Sequence, residues 1–261
     1  MHRHIAAGVA YYTFDLFSSF PGLIHGISTR HGGTSPAPFD TLNLSYDAGD
    51  TADNVKANRD GWHQALGLEL ANTVTARQAR SDRVAIATPQ DRGIGIPGVD
   101  ALLTDQAEVG LMLRFADCVP ILLYDPGKHA IACVHSGWQG TVMKVVSKAV
   151  LAMVDAFGTR TSDLFAGIGP SIGPCCYSVR QDVVSLVKAA FPTSDALLST
   201  MADGTVHLDL WEANALQLRE LGVSRIEVAG ICTAHRTDEF FSWRAERGQT
   251  GRFAATIALA N

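Results

Sequence analysis

The chain has 261 residues, with 21 Lys+Arg against 26 Asp+Glu and a formal net charge of -5, so it lacks the overall basic footprint of a nucleic-acid or anionic-membrane binder. Its 47% hydrophobic and 18% charged residues supply ample material for a packed core and exclude an intrinsically disordered chain. No apolar run reaches the ~18–20 residues of a membrane span, and the apolar run Ile5 to Ala10 is too short for a signal h-region and lacks a clear cleavage site, so a cytoplasmic location is expected.

A strand-like segment, Leu23 to Thr29, opens the chain's regular structure and leads into a loop from Arg30 to Asp53 rich in Gly and Pro. A loop of that length inside a compact domain usually lines a site. Thr51 is placed to cap a helix running to about Leu66. Short strands follow at Val84 to Ala87, Leu111 to Phe115, Val119 to Tyr124 and Ala130 to Val134. The last two flank Asp125-Pro126-Gly127-Lys128, a turn sequence that makes them a hairpin. Apolar residues from Val142 to Phe157 recur at helical spacing and stop at Gly158. A strand at Leu164 to Ile168, helices at Val179 to Phe191 and Leu210 to Leu221, and strands at Arg225 to Ile231 and Arg252 to Leu259 complete the reading. Strands outnumber helices without regular alternation, which favours a single α+β domain with mixed sheets and flanking helices over residues 1–261.

Three constellations can carry chemistry. Cys118 precedes the first hairpin strand and His135 ends the second, so an antiparallel pairing brings them side by side. A thiol beside an imidazole is either a metal site or an activated nucleophile, against the plainer reading of a buried thiol and a satisfied core histidine. Ser136 to Thr141 then opens a helix, whose free N–H groups favour an anion. The second constellation, Gly169 to Tyr177, contains adjacent Cys175 and Cys176, poorly spaced to chelate one metal together and read as a shaped turn. The third, Cys232 to Arg252, interleaves cations and aromatics as a phosphorylated or planar ligand requires, although composition alone favours a solvated loop. Cys133 and Cys232 are read as structural, and the five cysteines as reduced thiols. The nine histidines show none of the ordered clusters of a multicopper centre beyond His2 and His4.

Taken together, Arg30 to Ser35, Leu42-Asn43-Leu44, Ala116-Asp117-Cys118-Val119-Pro120, His135-Ser136-Gly137-Trp138, Gly173 to Tyr177, Phe241-Ser242-Trp243-Arg244 and Thr250-Gly251-Arg252 resemble the laccase-domain purine nucleoside phosphorylases, formerly described as multicopper polyphenol oxidases. The resemblance implies an α+β domain similar to the Cys/His deamidase domain of cytotoxic necrotizing toxins. It implies phosphorolysis of adenosine, inosine or methylthioadenosine to free base and ribose 1-phosphate, with adenosine deamination as a further activity. The implied partners are small molecules, a purine nucleoside and phosphate, without nucleic acid, membrane or an obligate protein partner.

The family's zinc is held by two histidines and a cysteine, of which Cys118 and His135 match two. Where the family has its other histidine, this chain reads Gln78-Ala79-Arg80-Ser81, and an arginine has no lone pair for a metal. Two ligands hold zinc weakly unless His25 or His31 swings in, so Arg80 instead offers a fixed cation to Cys118 or a phosphate. Gln139 also stands where the family usually has arginine. The candidate catalytic residues are Cys118 and His135, and the candidate substrate-binding residues are Arg30, Asn43, Arg244 and Arg252, with the helix start near Gly140 as a further phosphate contact. The alternatives are a metal-free Cys/His hydrolase with Cys118 as nucleophile, and a purine-binding protein without activity.

Overall fold

The computed structural model describes residues 1–260. In chain order the strands are β1 (His2–Ala6), β2 (Val9–Thr13), β3 (Leu23–Ser28), β4 (Thr73–Arg77), β5 (Val84–Ile86), β6 (Gly95–Pro97), β7 (Ala101–Thr104) and β8 (Gly110–Phe115). They continue as β9 (Val119–Asp125), β10 (Ala130–Ser136), β11 (Phe165–Ile168), β12 (Ser178–Val179), β13 (Leu198–Thr200), β14 (Val206–Leu208), β15 (Arg225–Val228) and β16 (Phe253–Leu259). The helices are α1 (Ala52–Leu66), α2 (Trp138–Val142), α3 (Val145–Phe157), α4 (Gln181–Ala190) and α5 (Leu210–Glu220).

Seven strands form one sheet in the order β1-β2-β3-β16-β8-β4-β6, six form a second in the order β15-β11-β9-β10-β7-β5, and β12-β14-β13 make a small third. Both large sheets are mixed: β4 runs parallel to β6 and β8, β5 to β7, and β11 to β15, while the other pairings are antiparallel. The expected mixed-sheet fold is therefore present.

Every residue of β9 and β10 is buried, because each strand has an apolar partner on both faces. The period of two along a strand sorts the side chains. Val119, Ile121, Leu123, Ala130, Ala132 and Val134 pack with α3, α4 and α5. Leu122, Tyr124, Ile131 and Cys133 pack against Ile27, Leu113, Phe253 and Ile257 of the seven-stranded sheet. Cys133 is a core thiol, donating to the Ala255 carbonyl oxygen across the sandwich at 3.6 Å, and burial pushes its pKa up.

Helix α1 covers the far side of the seven-stranded sheet. Thr51 caps it, accepting from the Asn54 N–H at 3.3 Å, and the wholly buried Trp62 donates its indole N–H to Thr256 Oγ1 at 2.9 Å. Gly26 on β3 makes room for this ring, since a Cβ there would lie 2.8 Å from it. The molecule is thus layered helix, sheet, sheet, helices.

Three features depart from the sequence reading. Residues of the first segment pair as the β1–β2 hairpin, joined by Ala7 and Gly8 at φ 48° and 80°. The helix expected from Val142 to Phe157 is broken into α2 and α3 at Lys144, which has φ 64°. Strands β4, β6 and β7, and β12, β13 and β14 of the small sheet, also emerge as short segments that the sequence reading does not contain.

Candidate active site

The β9–β10 hairpin has the register expected from its turn: Pro120 pairs with His135 and Val119 with Ser136. Cys118 therefore lies one place beyond the last pair, beside Gly137. A Cβ at Gly137 would sit 2.9 Å from Cys118 Sγ, so the absence of a side chain there lets the thiol tuck against the start of α2.

His135 is buried, with its ring 5.4 Å from that of Phe115. Its Nδ1 lies 2.8 Å from Asp100 Oδ1, and its backbone N–H donates to the Asp100 carbonyl at 2.7 Å. Burial raises the Asp100 pKa, but hydrogen bonds from His135 and Ser81 outweigh it and bring the carboxyl down to about 2. An ionised Asp100 can only accept, so Nδ1 carries the proton and Nε2 is turned to the Cys118 side. Burial also lowers the His135 pKa, but the nearby Cys118 and the hydrogen bond to Asp100 prevail, pushing it up to about 9. Cys118 and His135 thus face one cavity, with Asp100 as the carboxylate that orients the imidazole ring.

Asp100 also shapes the segment after β4. Its carboxylate accepts the N–H groups of Ala79 at 3.1 Å, Arg80 at 3.1 Å and Ser81 at 2.6 Å, plus the Ser81 hydroxyl at 2.7 Å. These bonds hold Arg80 at φ 56°, with its exposed side chain lining the cavity that contains Cys118 and His135.

A second buried carboxylate fixes the other wall. Asp117, at φ 81°, accepts from Thr233 Oγ1 at 2.8 Å, Ser242 Oγ at 2.7 Å and the Arg244 N–H at 2.6 Å. Burial raises its pKa, and those hydrogen bonds offset the effect only in part. Asp117 ties the corner before Cys118 to the loops after β15, so the chain's distant end becomes part of the site.

The cavity has a volume of about 400 Å³, within the range of small-molecule sites. Arg80, Arg114, Arg244 and Arg252 line it, against the carboxylates of Asp47 and Asp117. Arg252 stacks over Trp243 at 4.9 Å and donates to the carbonyls of Thr250 and Gly251 at 2.8 and 2.7 Å. Arg244 lies over Tyr177 at 5.1 Å and reaches Ser178 at 3.1 Å. Arg114 pairs with Asp47 at 3.2 Å. Trp138, Tyr177 and the half-exposed Trp243 supply aromatic surface.

The structure therefore gathers Cys118, His135, Arg80, Arg244 and Arg252 from the sequence-derived set, and adds Asp100 and Arg114. Arg30 and Asn43, expected to bind substrate, do not line the cavity; their polar groups are engaged in holding the surrounding loops. The Arg30 guanidinium is consumed by Glu246 at 2.9 Å and the carbonyls of Asp40 and Thr237 at 2.8 Å, over the Phe241 ring. Asn43 is wholly buried and accepts the N–H groups of Ser45 at 3.1 Å and Arg252 at 2.9 Å, both neighbours of the cavity. The loop from Arg30 to Asp53 thus serves the site through Ser45 and Asp47. Gly140 does not line the cavity either; α2 is five residues long, and the fixed cations are the arginines.

The donor set does not fit a three-ligand zinc at Cys118 and His135. Arg80 offers no lone pair, and no third His, Cys, Asp or Glu joins these two among the described residues. His25 is held in β3, accepting the Phe14 N–H at 2.9 Å, and His31 Nε2 lies 2.5 Å from the Asp238 carbonyl; neither lines the cavity. A metal-capable group lies elsewhere, where Cys175, Cys176, Cys232 and His235 place their ligand atoms within 4.8 Å of one another. Reading Cys175 and Cys176 as a shaped turn missed this convergence, although Cys232-Thr233-Ala234-His235 has a ligand-like spacing.

The sequence profile of the family described as "Multi-copper polyphenol oxidoreductase laccase" matches residues 24–260. The chain is 38% identical over 248 residues to the purine nucleoside phosphorylase YlmD of Geobacillus stearothermophilus, covering 91% of this chain and 90% of that protein. It is 35% identical to the purine nucleoside phosphorylase of Bacteroides thetaiotaomicron, covering 94% and 95%. The crystal structure of YlmD from Geobacillus stearothermophilus superposes with a TM-score of 0.91 at 36% identity, covering 97% of each chain. The Bacillus licheniformis hypothetical protein YfiH also gives 0.91, at 31% identity and 97% of each chain. Sequence and fold agree over nearly the whole length, and the chain belongs to the multi-copper polyphenol oxidoreductase laccase family, alongside relatives that bear the name purine nucleoside phosphorylase.

Proposed function

We propose that this protein is a purine nucleoside phosphorylase, working as one domain and cleaving adenosine, inosine or methylthioadenosine with phosphate. The observation that carries this reading is the cavity itself, where four arginines face two carboxylates beside three aromatic rings and the Cys118–His135 pair. Guanidinium groups match the oxygens of phosphate, and indole and phenol faces match a planar base.

Phosphate occupies the region of Arg80, Arg244 and Arg252, whose charges lower the cost of bringing a dianion to the ribose. A phosphate oxygen bonds to the anomeric carbon as the bond from that carbon to the purine nitrogen breaks. The electron pair leaves with the base, and His135, held as imidazolium by Asp100 and Cys118, supplies the proton. Arg80 provides the fixed positive charge on this wall of the cavity. The products are the free purine and a sugar 1-phosphate, which is ribose 1-phosphate from adenosine or inosine and 5-methylthioribose 1-phosphate from methylthioadenosine.

The test incubates the purified protein with each nucleoside, with and without phosphate, and separates the products by chromatography. Phosphate-dependent release of base in equal amount to the sugar 1-phosphate supports the reading; no base from any of the three nucleosides overturns it. Inosine formed from adenosine without phosphate would identify the deaminase activity.

The grouping of Cys118, His135 and Asp100 favours one further reading, a metal-free thiol hydrolase. It requires selective alkylation of Cys118 by iodoacetamide at neutral pH, and equal labelling of the exposed Cys175 would count against it.

A further inference from the structure

Four soft ligand atoms converge away from the arginine-lined cavity. Cys175 and Cys176 sit in the turn after β11, where the N–H groups of Cys176 and Tyr177 both donate to the Gly173 carbonyl at 3.0 Å. Cys232 and His235 sit in the turn after β15, where the N–H groups of His235 and Arg236 donate to the Cys232 carbonyl at 3.2 and 3.0 Å. The two turns are stitched together by a bridge between Ser171 and Cys232 and by the Thr233 N–H bonding to the Ser171 carbonyl at 3.0 Å. Three Sγ atoms and one imidazole nitrogen then lie within 4.8 Å of one another.

We propose that Cys175, Cys176, Cys232 and His235 form a structural zinc site that clamps the loop after β11 to the loop after β15. All four ligand atoms are close enough together to reach one ion. Zinc–sulfur and zinc–nitrogen bonds of about 2.3 and 2.0 Å at tetrahedral angles set ligand atoms roughly 3.5–3.8 Å apart. Cys175 Sγ and His235 Nδ1 are 3.6 Å apart, so the nitrogen facing the thiols is the ligating one. Cys232, the buried member, already accepts the Gly173 N–H on its sulfur at 3.2 Å, the kind of outer bond that supports a metal thiolate. Cys175 and His235 are exposed, giving the ion a route in from solvent. Three thiols and an imidazole with no carboxylate select a soft or borderline ion over calcium or magnesium.

The clamp sits behind one wall of the cavity without lining it. Tyr177 and Ile172 of the first loop line the cavity, and Thr233 of the second donates to Asp117, which orders the corner before Cys118. A zinc ion here fixes the aromatic wall and Arg244 relative to Cys118.

The test is metal analysis of the full chain, purified from zinc-supplemented cells, as wild type and as Cys118→Ala, Cys175→Ser and His235→Ala. Cys175 and His235 are exposed, so their replacement leaves the core untouched, and circular dichroism confirms folding. The expected result is one zinc per chain in wild type and in Cys118→Ala. In Cys175→Ser and His235→Ala, zinc affinity falls by more than about 100-fold, beyond the loss that outer-shell changes cause. Cobalt(II) loaded in place of zinc gives the thiolate-to-metal band of a three-thiolate site in wild type and Cys118→Ala alike. No bound zinc in wild type, zinc lost with Cys118→Ala but kept in Cys175→Ser, or a disulfide among Cys175, Cys176 and Cys232 in the freshly purified chain would each overturn the proposal. These readouts are independent of phosphorolysis.

Discussion

The Nδ1 atom of His135 lies 2.8 Å from Oδ1 of the wholly buried Asp100, and the same carboxylate collects the N–H groups of Ala79, Arg80 and Ser81. One side chain thereby orients the imidazole toward Cys118 and sets the backbone that presents Arg80 to the cavity. Asp100→Asn keeps the shape but loses the charge that fixes the tautomer. Its kcat for phosphorolysis is expected to fall about 10²- to 10⁴-fold. Urea unfolding should register a loss of up to about 3–5 kcal/mol, the scale of breaking a buried pair. Unchanged kcat would remove Asp100 from the site.

Arg80 is the residue that keeps a third ligand from Cys118 and His135. Arg80→His supplies one, so metal analysis is expected to find zinc at this position in the variant beyond what the wild type holds, abolished again by combining it with Cys118→Ala. Arg80→Ala removes the cation without adding a ligand, and a rise in KM for phosphate is expected in initial-rate assays. A variant Arg80→His that gains no zinc would show that the surrounding backbone, and not the side chain, excludes the metal.

Gly137 is required by proximity and not by backbone angle, since its φ is -77°. A methyl group there meets Cys118 Sγ at 2.9 Å, a contact the thiol relieves by rotating away. Gly137→Ala is expected to keep its melting temperature within a few degrees while losing activity and the reaction of Cys118 with iodoacetamide. A fully active variant would mean that the thiol's position is unimportant.

Stability should depend on pH through His25. Burial is the main cause that lowers its pKa, from 6.5 to about 4, opposed by backbone hydrogen bonding. Between those values the unfolded chain binds a proton that the folded chain refuses, so stability is full above pH 6.5 and declines as pH falls toward 4. The loss amounts to about 3 kcal/mol at 1.36 kcal/mol per pH unit. Denaturant titrations at a series of pH values measure it, and His25→Gln should flatten the decline in that window.

The hairpin that carries the site was legible because Asp125-Pro126-Gly127-Lys128 marks a turn and the runs beside it are apolar, which alone places Cys118 near His135. Arg30 and Asn43 lie in recognisable motifs, yet those motifs build the loop under the site. Polar groups that hold a backbone and polar groups that hold a substrate look alike in sequence. Asp100 was missed for a related reason: its partners, His135 and the segment 79–81, are brought to it by strand pairing and not by spacing. The break at Lys144 escaped notice because apolar periodicity runs through α2 and α3 alike. Cys175, Cys176, Cys232 and His235 converge through the pairing of Ser171 with Cys232, a contact with no local signature.

Phosphate-dependent product formation tests the central claim most directly: wild type and Cys118→Ala incubated with inosine, adenosine and methylthioadenosine, each with and without phosphate. The expected result is free base and the corresponding sugar 1-phosphate in equal amounts, only with phosphate present, and abolished in Cys118→Ala. Wild-type protein that binds these nucleosides but releases no base, or base release equally fast in Cys118→Ala, would contradict it.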